Sequence, residues 1–149
     1  MPDASAMLFG IVVSEWNNEI TESLYDGAIK TLLDSKAKEE NIIRINVPGS
    51  FELPLGAQSL FIQHKVDAVI CLGCVIQGET RHFEFICDAV SKGLMDLSIK
   101  HNVPFVFGML TTNTMDQAKE RAGGKHGNKG VEAAATALKM VEMQKQLRK

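Results

Sequence analysis

Residues 67–83 read DAVICLGCVIQGETRHF, and this stretch decides the fold. The part from Ala68 to Ile76 is apolar without alternating polar residues, which is typical of a strand covered on both faces in a parallel sheet. Gly78 ends the run, and the apolar spacing becomes helical from Phe83 onward. The stretch therefore predicts a central strand, a short polar turn and a helix.

The polar turn carries three candidate ligand-binding residues, Glu79, Thr80 and His82. Open α/β sheets bind ligands beyond the carboxyl ends of their strands, and free amides at the start of the next helix suit an anion. Histidine gains and loses a proton readily near neutral pH, so His82 could move protons. A single histidine on a helix face is also commonly structural, and the pattern leaves both roles open.

The rest of the chain alternates strand and helix patterns. Apolar runs predict further strands over residues 7–13, 43–47 and 104–111, the second nearer a sheet edge. Helical spacing predicts helices over about 18–38, 54–65, 83–100 and 115–122, and from 128 onward. We therefore predict an α/β fold: a flavodoxin-like three-layer αβα sandwich with a four-stranded parallel sheet, in a single domain over residues 1–149.

Two features mark the C-terminal third of the chain. Thr114 and Gln117 have the spacing of a capping box at the start of a helix. The segment GGKHGNKG, residues 123–130, then combines four glycines with three basic or imidazole side chains. Such a segment could be a flexible linker or a binding loop, and its composition alone does not decide between them.

The bulk composition limits the possible functions. A formal net charge of −2 with 23% charged residues gives no electrostatic case for nucleic acid. No segment approaches the roughly 18 apolar residues of a membrane span. Pro2 and Asp3 stand where a secretory signal would need basic residues, so we expect a cytoplasmic protein with no membrane partner.

The three cysteines, Cys71, Cys74 and Cys87, are an odd number, and two of them form the motif CLGC. Residues three apart on a strand point to opposite faces, so Cys71 and Cys74 could pair only if the strand were broken. We therefore expect reduced thiols. We predict no metal site, because the four histidines show no ligand spacing with these cysteines. The dinucleotide fingerprint and the Walker loop are absent, so no cofactor is predicted by those routes.

Polar and aromatic residues follow several predicted strands and should converge at one edge of the sheet: Trp16, the turn Ser50 to Glu52, the turn Gly78 to His82, and Phe107. Two aromatic faces beside a carboxylate suit a flat heterocycle with N–H donors, and Thr80 with helix-start amides suits a phosphate. Simpler roles are also open. A lone tryptophan usually packs in the core or at its edge, and the only role of Glu52 could be to stabilise a helix N-terminus.

Three segments, VPGSFELP, GCVIQGETRHFEFICDAVSKG and FGMLTTNTMDQAKERAGGKHGNKG, together with IVVSEWN, cover nearly the whole chain. In this order they resemble the characteristic segments of the 6,7-dimethyl-8-ribityllumazine synthase family. The resemblance implies an enzyme of riboflavin biosynthesis. It would condense 5-amino-6-(D-ribitylamino)uracil with 3,4-dihydroxy-2-butanone 4-phosphate, releasing phosphate and water, without a cofactor.

The resemblance also implies a binding site for the uracil substrate. Trp16 corresponds to the aromatic residue that stacks on the pyrimidine, where family members commonly carry phenylalanine. The contacts to the pyrimidine and the ribityl chain fall on Ser50, Phe51, Glu52, Cys74, Val75 and Ile76. The resemblance assigns no role to Asn17.

The resemblance also implies a binding site for the phosphate group of the second substrate. Glu79, through its backbone amide, and Thr80 correspond to the phosphate-binding turn, and His82 corresponds to the proton-transfer histidine. Phe107 and Arg121 correspond to residues that the neighbouring subunit contributes, Arg121 as the guanidinium partner of the phosphate. Lys129 is a further candidate.

Since the family's site is shared between subunits, the resemblance implies a pentamer and an inactive monomer. The GGKHGNKG loop resembles that of members whose pentamers assemble into sixty-subunit icosahedral shells. Two other functions fit the same fold. An archaeal-type riboflavin synthase would dismutate two lumazines. A non-catalytic flavin-binding shell protein would bind a flavin without converting any substrate, and such a protein would not be expected to retain His82 and Arg121.

Overall fold

The computed structural model describes residues 1–149 and is built on a four-stranded parallel sheet. Its strands are β1 (Phe9–Ser14), β2 (Ile42–Val47), β3 (Ala68–Ile76) and β4 (Phe105–Thr112), in the order β2-β1-β3-β4. Each neighbouring pair is parallel. The predicted sheet is confirmed, with β3 buried at its centre and β2 at an edge.

Helices cover both faces of the sheet and make the three layers. The helices are α1 (Asn18–Asp34), α2 (Leu53–His64), α3 (His82–His101), α4 (Met115–Glu120) and α5 (Lys129–Leu147). Buried side chains of α1 and α5 pack on one face of the sheet, and those of α2 and α3 pack on the other. The flavodoxin-like three-layer αβα fold is therefore confirmed. None of these helices combines the length and the apolar character needed to cross a bilayer.

The cysteines lie as the strand pattern predicted. Cys74 packs in the core under α1 and α5, whereas Cys71 packs in the core under α2 and α3. All three cysteines are free thiols. The two thiols of the CLGC motif thus point to opposite sides of an unbroken strand, and the redox interpretation is excluded.

Some predicted helix ends were wrong. α1 ends at Asp34 rather than near Lys38, because the chain turns at Lys36, which has a left-handed φ of 74°. α4 ends at Glu120, two residues before the predicted end. Its N-terminal capping box is confirmed: the amide of Gln117 donates to Thr114 Oγ1 at 3.1 Å, and Gln117 Oε1 accepts from the amide of Thr114 at 3.3 Å.

The segment GGKHGNKG is neither a plain loop nor a flexible linker. Residues Ala122–Gly124 (β5) and Gly127–Asn128 (β6) form a two-stranded antiparallel hairpin. Gly123 and Gly127 have φ values of 109° and 82°, which glycine adopts without steric cost. Asn128 then caps α5 by accepting from the amides of Gly130 and Val131, and its side-chain amide donates to the carbonyl of Ser23 in α1.

Candidate active site

A cleft of about 670 Å³ opens at the carboxyl ends of β1, β2 and β3, beside the start of α3. It brings together all of the residues that the sequence predicted for the uracil substrate and for proton transfer. Those residues are Trp16, Ser50, Phe51, Glu52, Cys74, Val75, Ile76 and His82. The remaining lining residues are Asn17, Pro48, Gly49, Phe85 and Ile86.

The floor of the cleft is the part of β3 that extends beyond β1. Pairing with β1 stops at Leu72, opposite Val13, whereas pairing with β4 continues to Ile76. The amides of Val69 and Gln77 both donate to the β4 side, to the carbonyls of Pro104 and Thr112. Since amide direction alternates along a strand, the N–H of Ile76 faces the open side. A backbone donor therefore faces the cleft.

Trp16 stands at the mouth of the cleft and is 74% exposed, so it is not a core residue. Its position comes from the backbone. The amide of Trp16 donates to the carbonyl of Pro48 at 3.0 Å, and the amide of Glu15 donates to the carbonyl of Val47 at 2.8 Å. The chain after β1 is thus tied to the end of β2, which leaves the aromatic face free for a planar ligand.

The turn after β2 forms one wall as a short 3-10 helix, Ser50–Glu52. Glu52 Oε1 accepts a hydrogen bond from the amide of Gly49 at 2.9 Å, so this carboxylate stabilises the turn while it lines the cleft. Phe51 is 59% exposed at the rim. The structural role that the sequence left open for Glu52 is therefore present, and its second oxygen leaves room for a ligand contact.

Ser50 lines the cleft, but its hydroxyl does not reach the cleft surface. Its Oγ is buried and has no hydrogen-bond partner. The oxygen sits against Gly73, where an added Cβ would come within 2.6 Å of it. In this conformation only the backbone of Ser50 is available to a ligand.

His82 is the first residue of α3, where its exposed side chain lines the cleft. Its amide donates weakly to Thr80 Oγ1 at 3.4 Å, and Arg81 at the N-cap makes no side-chain capping bond. First-turn amides of α3 therefore lack helical partners, as an anion site needs. Glu79 and Thr80 lie exposed in the preceding turn, at the same end but outside the cleft lining.

Phe107 does not join the cleft, which corrects the expectation that it converges there. It is the third residue of β4, far from that strand's carboxyl end, and it lines a second cavity of about 350 Å³ on the sheet edge. That cavity also contains Arg121, His126, Lys129 and Glu132. The two cavities share no lining residue. A single chain thus separates Phe107 and Arg121 from Trp16 and His82.

Sequence reasoning did not assign the five remaining lining residues to the site, and Phe85 and Asn17 are the two of them with exposed aromatic or hydrogen-bonding side chains. Phe85 is 61% exposed and lies three residues after His82 on α3, so helical spacing places both on one face. The Arg81 guanidinium stacks over the Phe85 ring at 5.2 Å. That spacing could have identified Phe85 from the sequence, whereas the position of Asn17 depends on tertiary contacts.

The chemistry of the cleft is that of weak acids and bases and of backbone groups. Burial raises the pKa of the Cys74 thiol to about 11, so this side chain is neutral near pH 7 and is a poor nucleophile. No three His, Cys, Asp or Glu side chains cluster closely enough to hold a metal ion. The remaining features are a planar aromatic surface, backbone donors, a carboxylate and an imidazole.

Comparison with known proteins finds one family that matches nearly the whole chain. The family model for 6,7-dimethyl-8-ribityllumazine synthase matches residues 6–145. The chain is 63% identical over 141 residues to the protein of that name from Cytophaga hutchinsonii, covering 95% of this chain and 89% of the relative. It is 54% identical to the namesake from Parabacteroides distasonis, covering 95% and 88%. It is 52% identical to that from Flavobacterium johnsoniae, covering 98% and 77%.

Proposed function

Because this chain belongs to the 6,7-dimethyl-8-ribityllumazine synthase family, we propose that it is the transferase of riboflavin biosynthesis that forms this lumazine. Its substrates are 5-amino-6-(D-ribitylamino)uracil and 3,4-dihydroxy-2-butanone 4-phosphate. One observation of the site supports this proposal: Trp16 and His82 line the same cleft beyond the carboxyl ends of the strands.

The uracil substrate binds in the cleft as a planar ring. Trp16 and Phe51 offer exposed aromatic faces, and the open N–H of Ile76 suits a carbonyl oxygen of the pyrimidine. Glu52 suits an N–H donor, because its carboxylate only accepts hydrogen bonds. Val75 and Cys74 complete an apolar and uncharged floor. This combination favours a flat heterocycle with both donors and acceptors.

The phosphate substrate binds near the start of α3. Amides of that first helical turn, with Thr80 and the backbone of Glu79, are suitably placed donors. Arg121 supplies the guanidinium, and because its own chain holds it in a separate cavity, a neighbouring copy must provide it together with Phe107. Lys129 lies in that same cavity as a further cation.

The reaction follows from bringing the two substrates together. The uracil's 5-amino group attacks the ketone to form an imine with loss of water. Elimination then expels phosphate, and the ribitylamino nitrogen closes the ring with loss of a second water. The substrates provide their own electron sink, so the residues need only orient the reactants and transfer protons, with His82 as the proton carrier.

We propose a homo-oligomer, specifically a pentamer with further assembly into an icosahedral shell. Exposed aromatic side chains line the cleft, among them Phe51 and Phe85, and a neighbouring subunit would cover them. The chain would act in the cytoplasm, in keeping with its three free thiols.

The test is to mix both substrates with the purified protein and to measure lumazine fluorescence and released phosphate together. We expect one phosphate for each lumazine, with no product when either substrate is omitted. In a separate assay the protein is given 6,7-dimethyl-8-ribityllumazine alone, and its conversion into riboflavin without phosphate release would identify a riboflavin synthase instead. A tightly bound flavin with no turnover would identify a flavin-binding shell protein.

A further inference from the structure

Asn17 has an unusual backbone conformation for its position. It lies between Trp16 and the first residue of α1, with φ 61° and ψ 46°, in the left-handed region that only asparagine, aspartate and glycine adopt with ease. It occupies the N-cap position, yet its side chain makes no capping bond to α1. Its side chain is therefore directed elsewhere.

That side chain contacts the floor of the cleft. Asn17 Nδ2 donates a hydrogen bond to the backbone carbonyl of Cys74 at 3.1 Å. This carbonyl lies on the open side of β3, beyond Leu72, where pairing with β1 has stopped. Asn17 thus provides the donor that another β1 residue would otherwise supply.

The contact joins the two surfaces between which the uracil ring would lie. On one side, Asn17 follows Trp16 directly, and its own carbonyl accepts from the amides of Ile20 and Thr21 at 3.0 and 3.1 Å. On the other side, Cys74 lies two residues before Ile76, whose N–H faces the cleft. A shift of Asn17 would therefore change the spacing between the indole and that backbone donor.

We propose that Asn17 is a positioning residue for the uracil substrate, which fixes the separation between Trp16 and the strand end Cys74–Ile76 through its bond to the Cys74 carbonyl. The inference rests on the proposed function. It predicts that loss of the bond weakens uracil and lumazine binding while phosphate-substrate binding is kept, because the first turn of α3 is not linked to Asn17.

Two substitutions separate the hydrogen bond from the backbone conformation. Asn17→Asp keeps the size and the tolerance for positive φ, but its oxygens cannot donate to the carbonyl. Asn17→Gly keeps the positive φ and removes the side chain. The adjacent Asn18, exposed in the first turn of α1 and outside the cleft lining, provides the control Asn18→Asp.

Trp16 is the single tryptophan of the chain, so its fluorescence reports on this site without turnover. We would titrate wild type and variants with 6,7-dimethyl-8-ribityllumazine and record Trp16 quenching, then measure KM for each substrate and the thermal midpoint. We expect both Asn17 variants to bind lumazine about tenfold more weakly, the loss of roughly one hydrogen bond. KM for the uracil should rise equally, with KM for the butanone phosphate changed less than about twofold.

The outcomes distinguish the inference from the function on which it rests. Equal quenching curves for wild type and both Asn17 variants would overturn the inference alone. So would equal increases in both KM values, which would indicate a general loss of structure. An absence of quenching in the wild type would overturn the proposed function and the inference with it.

Discussion

Arg121 lies beside the carboxylate of Glu120, with 3.9 Å between Nη1 and Oε2. His126 Nε2 lies 3.5 Å from the same oxygen, and Arg121 Nη1 also donates to the carbonyl of Gln117 at 3.2 Å. Glu120 is therefore a counter-ion for the guanidinium that we assign to the substrate phosphate. A phosphate that binds Arg121 must therefore compete with Glu120 for the guanidinium.

We expect Glu120→Gln to lower KM for the butanone phosphate, because the amide keeps the shape and removes the competing charge. An exposed ion pair of this kind is worth at most about 1 kcal/mol, so the change should be up to about fivefold. Steady-state kinetics at low ionic strength measure it. Glu40→Gln, an exposed carboxylate in the turn before β2, is the control. An unchanged or higher KM would contradict the assignment of Arg121.

His82→Ala should slow turnover without abolishing it. Proximity of the two substrates provides most of the acceleration, and proton transfer contributes a smaller factor, so we expect kcat to fall by about tenfold to a hundredfold. His64→Ala, an exposed histidine at the end of α2, is the matched control. Complete loss of product in the His82 variant, with the fold intact, would show that this division of roles is wrong.

Trp16 should act through its aromatic face. Trp16→Phe keeps a stacking surface and should change KM for the uracil by less than about threefold, whereas Trp16→Ala should raise it by about tenfold or more. Because Trp16 is 74% exposed, neither change should lower the thermal midpoint appreciably. If the alanine variant kept the wild-type KM, stacking would not contribute to substrate binding.

Cys74 makes stability depend on pH in the alkaline range. Burial raises the pKa of its thiol from 9.0 to about 11, so the folded chain keeps a proton that the unfolded chain loses. The contribution of this thiol to the free energy of unfolding is therefore fully present below about pH 9, and it is lost as the pH rises towards 11. The thermal midpoint should fall less between pH 8 and pH 10 in Cys74→Ala than in the wild type. Identical falls would contradict this source of the pH dependence.

The sequence predicted the features that depend on local pattern. The unbroken apolar run of β3 indicated a central parallel strand, and the shared carboxyl edge of such strands led to the grouping of Trp16, Glu52 and His82. Features set by relative strand lengths could not be predicted in this way. The bond between Asn17 and Cys74 exists only because β3 extends beyond β1.

The other differences have separate causes. The predicted strand 104–111 already placed Phe107 in its first half, as β4 does, so the pattern could have excluded this residue from the carboxyl edge of the sheet. The burial of the Ser50 hydroxyl depends on its contact with Gly73 across the turn. The hairpin of residues 122–128 is held by the amide of His126, which donates to the carbonyl of Glu120, and glycine-rich composition does not reveal such a contact.

The most direct test of the shared site uses two complementary variants. Trp16→Ala/His82→Ala damages the cleft, and Phe107→Ala/Arg121→Ala damages the residues that a neighbour would donate. Each variant alone should form lumazine at a low rate when the butanone phosphate concentration is low. Co-assembled in equal amounts, they should recover about a quarter of the wild-type rate, because one interface in four then combines an intact cleft with an intact donor. A rate equal to the mean of the two variants would contradict a site shared between subunits.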